Sequence, residues 1–160
     1  CSSLWNEEQN GNKNSCSKRS WFSSGSWGTG CGALDDREGY HPNQQPAADG
    51  SSWYQIDLGQ EEIVGGVVTQ GSSVEQKWMP KIKVGVSHDG NDFTMVKGAN
   101  GDEEMIANTD NLSKVANFFD VGYAARYVRI YIVEYHGHFG VIRAGVWIGC
   151  PEGTPEGTQI

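Results

Sequence analysis

His136 and His138 are the closest pair of histidines in the sequence, and on an extended segment two residues apart they would face one side, as ligands to a shared metal must. Gly137 and Gly140 around them point instead to a loop, and no further ligand stands nearby, so they read as exposed polar residues. The run Asp35-Asp36-Arg37-Glu38 offers carboxylates to calcium, but it lacks the alternating Asp spacing of a calcium loop and reads as a solvated turn. There is no Gly-x-Ser-x-Gly and no His-Glu-x-x-His, and the histidines are otherwise scattered. The chemistry on offer is recognition rather than catalysis.

Recognition needs flat rings and convergent polar groups. Ser20 to Gly30 sets Trp21, Phe22 and Trp27 among serines and glycines, the composition of an adaptable binding loop. The alternative is that one or two of these rings fold back over the core. Further on, Glu75, Gln76, Lys77 and Trp78 combine charge, amide and ring, and Trp78 beside Met79-Pro80 suits packing as well as contact. The net charge of −8 argues against nucleic acid and gives no general attraction to an anionic membrane.

The four cysteines, at 1, 16, 31 and 150, form no closely spaced pair of the kind structural zinc uses, so two disulfides are expected. Three pairings are possible. Cys1–Cys150, tying the ends, and Cys16–Cys31, closing a short loop, are preferred. Disulfides imply an oxidising, secreted or extracellular setting, and the sequence opens directly on Cys1 as a processed or trimmed domain might. Asn111-Leu112-Ser113 is a glycosylation sequon that agrees with it.

The elements that hold these groups read as strands. Tyr54, Ile56 and Leu58 alternate with Trp53, Gln55 and Asp57, and a run from Ile63 to Gly71 follows that is nearly all β-branched apart from its glycines. Ile82, Val84 and Val86 share a face before the turn His88-Asp89-Gly90-Asn91-Asp92, and Phe93 to Val96 returns. Val115 to Phe119 forms a short strand, 124–133 another with Val128, Ile130 and Ile132 inward, and Val141 to Ile148 the last. Residues 6–14 read as loop, and 151–160 as a disordered tail or linker stub after a single domain over 1–150. Asp57 needs a partner if buried, and Arg126, Arg129 and Arg143 are its candidates. Short strands, frequent turns and no convincing helix give an all-β sandwich or flattened barrel.

Several segments together resemble one family. Trp-Tyr-Gln-Ile-Asp-Leu-Gly from Trp53, Val-Val-Thr-Gln-Gly from Val67, Val-Gly-Val-Ser-His-Asp-Gly-Asn-Asp-Phe from Val84, Ala-Arg-Tyr-Val-Arg-Ile from Ala125 and Ile-Arg-Ala-Gly-Val-Trp-Ile-Gly-Cys from Ile142 are similar to the discoidin, or coagulation factor V/VIII type C, domain. The resemblance implies a discoidin-like jelly-roll β-sandwich of the galactose-binding-domain type, with Cys1 and Cys150 joining its ends. It also implies ligand loops at one end, here Trp21–Trp27, Ser72–Trp78 and Glu134–Phe139. Relatives bind galactose-type sugars, anionic phospholipid or protein partners such as collagen. The expected partner is a cell-surface or matrix glycan or glycoprotein, because the loops are aromatic and polar and the chain is acidic. The runner-up is anionic phospholipid, met by inserted Trp21, Phe22 and Trp27 with Lys18, Arg19 and Lys77 at the headgroups. Trp21, Phe22, Trp27, Glu75, Lys77, Trp78, His136 and His138 are the candidate contacts, and no cofactor is expected.

Overall fold

The computed structural model describes residues 1–22, 30–47 and 49–152, so Trp27 and the segment 153–160 lie outside it. Its strands are β1 (Ser3–Trp5), β2 (Arg19–Trp21), β3 (Trp53–Gln70), β4 (Trp78–Ser87), β5 (Thr94–Met95), β6 (Met105–Ile106), β7 (Val115–His136) and β8 (Arg143–Ile148). A single 3-10 turn, Lys13–Ser15, is the one helical element among the described residues.

Alternation decides which way each strand faces. Tyr54, Ile56 and Leu58 of β3, Ile82, Val84 and Val86 of β4, and Val128, Ile130 and Ile132 of β7 are all buried in one core. Where the sequence reads as two strands on either side of Gly59, the structure has one. The first half of β3 pairs with β2 and with residues 127–131 of β7. Its second half pairs with the first half of β7 and with β8. β3 and β7 therefore cross together from one layer to the other, with a register shift between Asp57 and Glu62 at the corner. Gly59 sits there at φ +84°, a conformation that costs other residues dearly, and its N–H donates to Asp57 Oδ1 at 2.8 Å. The periodicity breaks at such a corner, which is why each strand reads as two.

Polar ties then fix the layers. Asp57 takes Arg126 as its partner in a bidentate contact, at 2.8 and 3.1 Å, across the β3–β7 ladder. Arg129 bonds Gln55 at 2.7 Å and lies between the rings of Trp53 and Phe93, its guanidinium carbon 4.1 Å from each centroid. Arg143 turns away from both, toward the loops described below. Disulfides join Cys1 to Cys150 and Cys16 to Cys31. The hydrogen bond from Arg126 holds the Asp57 carboxyl below the usual carboxylate range, against the cost of its partial burial. A folded-state pKa below the unfolded one adds stability above the unfolded value, and that stability is lost as pH falls through the folded value. Asp57→Asn is accordingly expected to lower the thermal midpoint by about 2–4 °C at pH 7 and to lose that gap in acid, as read by thermal denaturation across pH. A gap that stays constant down to pH 2 would show that the pair contributes nothing.

A recognition surface at the loop end

The loops that follow β3, β6 and β7 meet the long connection between β2 and β3, and Arg143 is their joint. It is buried, and it donates from Nε to Gly71 O at 2.7 Å and from Nη1 to Asp36 O at 2.8 Å. Burial pulls its guanidinium below the ordinary arginine value, with Asp35 and Asp36 opposing. Around it, Glu38 N–H donates to Ser73 Oγ at 2.7 Å, Asp35 N–H to Gln70 Oε1 at 2.9 Å, and Asn111 Nδ2 to Ser72 O at 3.0 Å. The side chain of the Asn111 sequon thus fastens its loop to the Ser72–Trp78 loop.

Two of the expected contact loops come together directly. Trp78 and His136 face each other in the β4–β7 register, and their rings stack with centroids 4.0 Å apart and planes 12° from parallel. The turn that follows nests against Gln76 and Lys77 because Gly137 has no Cβ; one built there would sit 2.8 Å from Gln76 O. Gly137 and Gly140 both have positive φ, as does Phe139. Phe139 carries the His138 ring 4.0 Å from its own. Charges frame the stacked rings: Lys77 pairs with Glu75, and Lys81 lies 3.3 Å from Glu134 and 3.6 Å from Glu104. Beneath them, buried His41 lies 3.7 Å from Glu38. Desolvation, then the charge of Lys77, hold it below the ordinary histidine value.

Trp21 and Phe22 occupy a different setting. Trp21 ends β2 and stacks on Tyr40 at 5.0 Å and on Tyr54 at 6.5 Å, while Phe22 meets Tyr40 edge-on at 6.4 Å. Both are half-buried against the core. Tyr40 itself bridges to Ile142 beside the turn, so this aromatic wall abuts the same end. Arg19 is no surface cation. It is 3% exposed and donates to Gly32 O, Tyr54 Oη and Ala144 O, which corrects its assignment to a headgroup contact. The sequence reading also passed over Val74 and Leu112, which are 68% and 61% exposed on two adjoining loops of this end. A lone apolar residue inside Ser72-Ser73-Val74-Glu75-Gln76 was the available signal.

Among the described residues no three His, Cys, Asp or Glu side chains converge as a metal site would need. Asp35 pairs with Lys114 at 2.5 Å, and Asp36 accepts the Arg37 N–H on Oδ1 while its Oδ2 is buried without a hydrogen-bond partner.

A β-sandwich with rings and charges gathered on loops at one end is the form of a recognition module. The sequence profile of the F5/8 type C domain matches residues 12–144, and the chain belongs to that family. Bovine lactadherin (Bos taurus) is 31% identical over 123 residues, covering 74% of this chain and 29% of lactadherin. Rat lactadherin (Rattus norvegicus) is 35% identical over 92 residues, or 55% of this chain and 22% of the relative, so the chain spans well under half of the relatives it matches. Among solved structures, the family 32 carbohydrate-binding module of C. perfringens NanJ in complex with galactose superposes with TM-score 0.60 at 16% identity, covering 80% of this chain and 90% of that one. Discoidin II of Dictyostelium discoideum gives TM-score 0.59 at 19% identity over 71% of this chain and 42% of its own.

Proposed function

We propose that this chain is a non-catalytic extracellular recognition module that binds a cell-surface or matrix glycan or glycoprotein at the loop end. The observation that carries this reading is the Trp78–His136 stack framed by Glu75, Lys77, Lys81 and Glu134. A flat aromatic pair suits the apolar face of a sugar, and the mixed charges beside it suit hydroxyls, which both donate and accept. The disulfides agree with an extracellular setting. That a family 32 module of the same fold holds galactose is consistent with the class of ligand.

Trp78→Ala is expected to weaken glycan binding by at least about tenfold, on the order of 2–4 kcal/mol for a central contact ring, while the thermal midpoint stays within a few degrees. A glycan array followed by titration of the best hit measures it.

A second reading, anionic phospholipid, is favoured by Val74 and Leu112, two exposed apolar tips with Lys77 and Lys114 close in sequence. Liposome sedimentation with and without phosphatidylserine separates the two. Strong phosphatidylserine-dependent pelleting beside a blank array would reverse the order. The same pair of assays on Trp21→Ala, Phe22→Ala and Trp27→Ala tells whether that aromatic segment is contact or scaffold.

A further inference from the structure

On the flank of the sandwich, next along β4 and β7 from the charges that frame the stacked rings, outward side chains of neighbouring strands build a second cleft. Tyr131 of β7 and Lys83 of β4 stand side by side in register and line it together with Met95, while Trp53 of β3, on the other side of Tyr131, is covered by Arg129 and lies outside the lining. Two positions on from Lys83, on the same face of β4, stands Gly85, and its lack of a side chain lets the Tyr131 ring lean over the strand. A Cβ there would lie 3.1 Å from Tyr131 Cε2 and 3.4 Å from Met95 Sδ, so ring and thioether close over the glycine from two sides. Asp49 with Gly50 walls one rim and Glu103 the other, around a volume of about 320 Å³.

We propose that this cleft is a binding site for a neutral pyranose ring of a glycan, distinct from the loop end. The volume stands at the small end of ligand sites, which fits a sugar ring or two rather than a long segment of polymer. A half-buried tyrosine ring supplies an apolar platform, and Met95 extends it. The polar groups are of both kinds and are unspent: among the described residues neither Lys83 nor Glu103 makes an ion pair, so the ammonium is left to donate to hydroxyls and the carboxylate to accept from them. Asp49 is ionised and held in place by the Ser51 N–H and hydroxyl, at 2.9 and 2.5 Å on its Oδ1. Two carboxylates against one ammonium select against sialylated, sulfated or phosphorylated sugars. The cleft stands or falls separately from the loop-end reading, since the two share no residue.

Saturation-transfer NMR tests it, with methyl galactopyranoside, methyl glucopyranoside and N-acetylglucosamine as neutral probes and sialic acid as the charged control. At least one neutral probe should take up saturation from the wild-type chain and keep doing so with Trp78→Ala. Tyr131→Ala should weaken that probe by about tenfold or more. Gly85→Ala should do the same by displacing the ring without removing it. If Tyr131→Ala melts early, Lys83→Ala supplies the test at the rim, with a loss of about threefold or more expected. Silence of every neutral probe on wild type would overturn the proposal. So would transfer that vanishes with Trp78→Ala and survives Tyr131→Ala, which would return all sugar binding to the loop end. Preference for sialic acid over the neutral probes would overturn it as well.

Discussion

Arg19→Met is expected to lose about 3–5 kcal/mol of folding stability, seen as a lower urea midpoint with an unchanged slope. The guanidinium is buried, its Nε donating to Glu7 O at 3.0 Å and its Nη1 to Gly32 O, Tyr54 Oη and Ala144 O at 2.6–2.9 Å. Nη2 reaches Asn6 Oδ1 at 3.2 Å, and the group lies 5.1 Å over the Trp5 ring. Methionine fills much of the same volume, so the packing loss is modest. What remains without this donor are the Ala144 carbonyl and the Tyr54 hydroxyl oxygen, each costing about 1–3 kcal/mol when buried, while Gly32 O keeps the Ala144 N–H and Asn6 Oδ1 keeps the Leu34 N–H. No carboxylate is left unpaired, since its partners among these are neutral, and this keeps the sum short of the largest cases. Arg19→Lys keeps the charge but not the planar fork, so it should fall between wild type and Met. Equal midpoints for wild type and Arg19→Met would remove Arg19 from the framework.

That residue marks the limit of what the sequence discloses. Lys18-Arg19-Ser20 reads as an exposed polar segment, because β2 has only the residues Arg19–Trp21 and shows no alternation. Its inward face is set by pairing with Gln55 and Ile56 on β3, a long-range register that no local pattern carries. The same holds for β1, whose buried Trp5 pairs with Val146 near the far end of the chain. The long strands are the opposite case. Ile82, Val84 and Val86 are read on one face and found buried on it, and the Asp-Gly turn is capped by Ser87 and by Asp89. There the bonds to Asp89 from the Asn91 and Asp92 N–H groups draw its carboxyl down to about 2.

The loop end was legible in composition and not in arrangement. Trp78 and His136 are 58 positions apart in the chain, so only the β4–β7 register makes them a stacked pair. Likewise Arg129 is visible as a cation on a strand, but its place between Trp53 and Phe93 depends on a hairpin that brings Phe93 back across β4. Arg143 shows the reverse error that local reading invites. It looks like a partner for Asp57, yet its bonds go to the carbonyls of Gly71 and Asp36, where it locks loops instead of strands.

Opening the Cys1–Cys150 bridge with paired serine substitutions is expected to cost about 5 kcal/mol, against about 3 kcal/mol for Cys16–Cys31. The difference follows from the separations of 149 and 15 residues, since the longer loop restricts the unfolded chain more. The functional consequences should run the other way. Cys150 lies next to the corner of the sandwich, its N–H donating to Ile63 O at 3.2 Å, and none of the loop-end contacts passes through it. Cys31, by contrast, is buried, accepts the Tyr54 hydroxyl at its carbonyl at 2.6 Å, and precedes Gly32, an acceptor for Arg19. Releasing it loosens the wall on which Trp21 and Tyr40 stack. Measured at a temperature where both variants remain folded, the long-bridge variant should bind glycan as wild type does, and the short-bridge variant should bind several-fold more weakly. Denaturant midpoints and array titrations on the two variants check both halves. Equal stability losses would reject the loop-length account, and unaltered binding in the short-bridge variant would separate the Trp21 wall from recognition altogether.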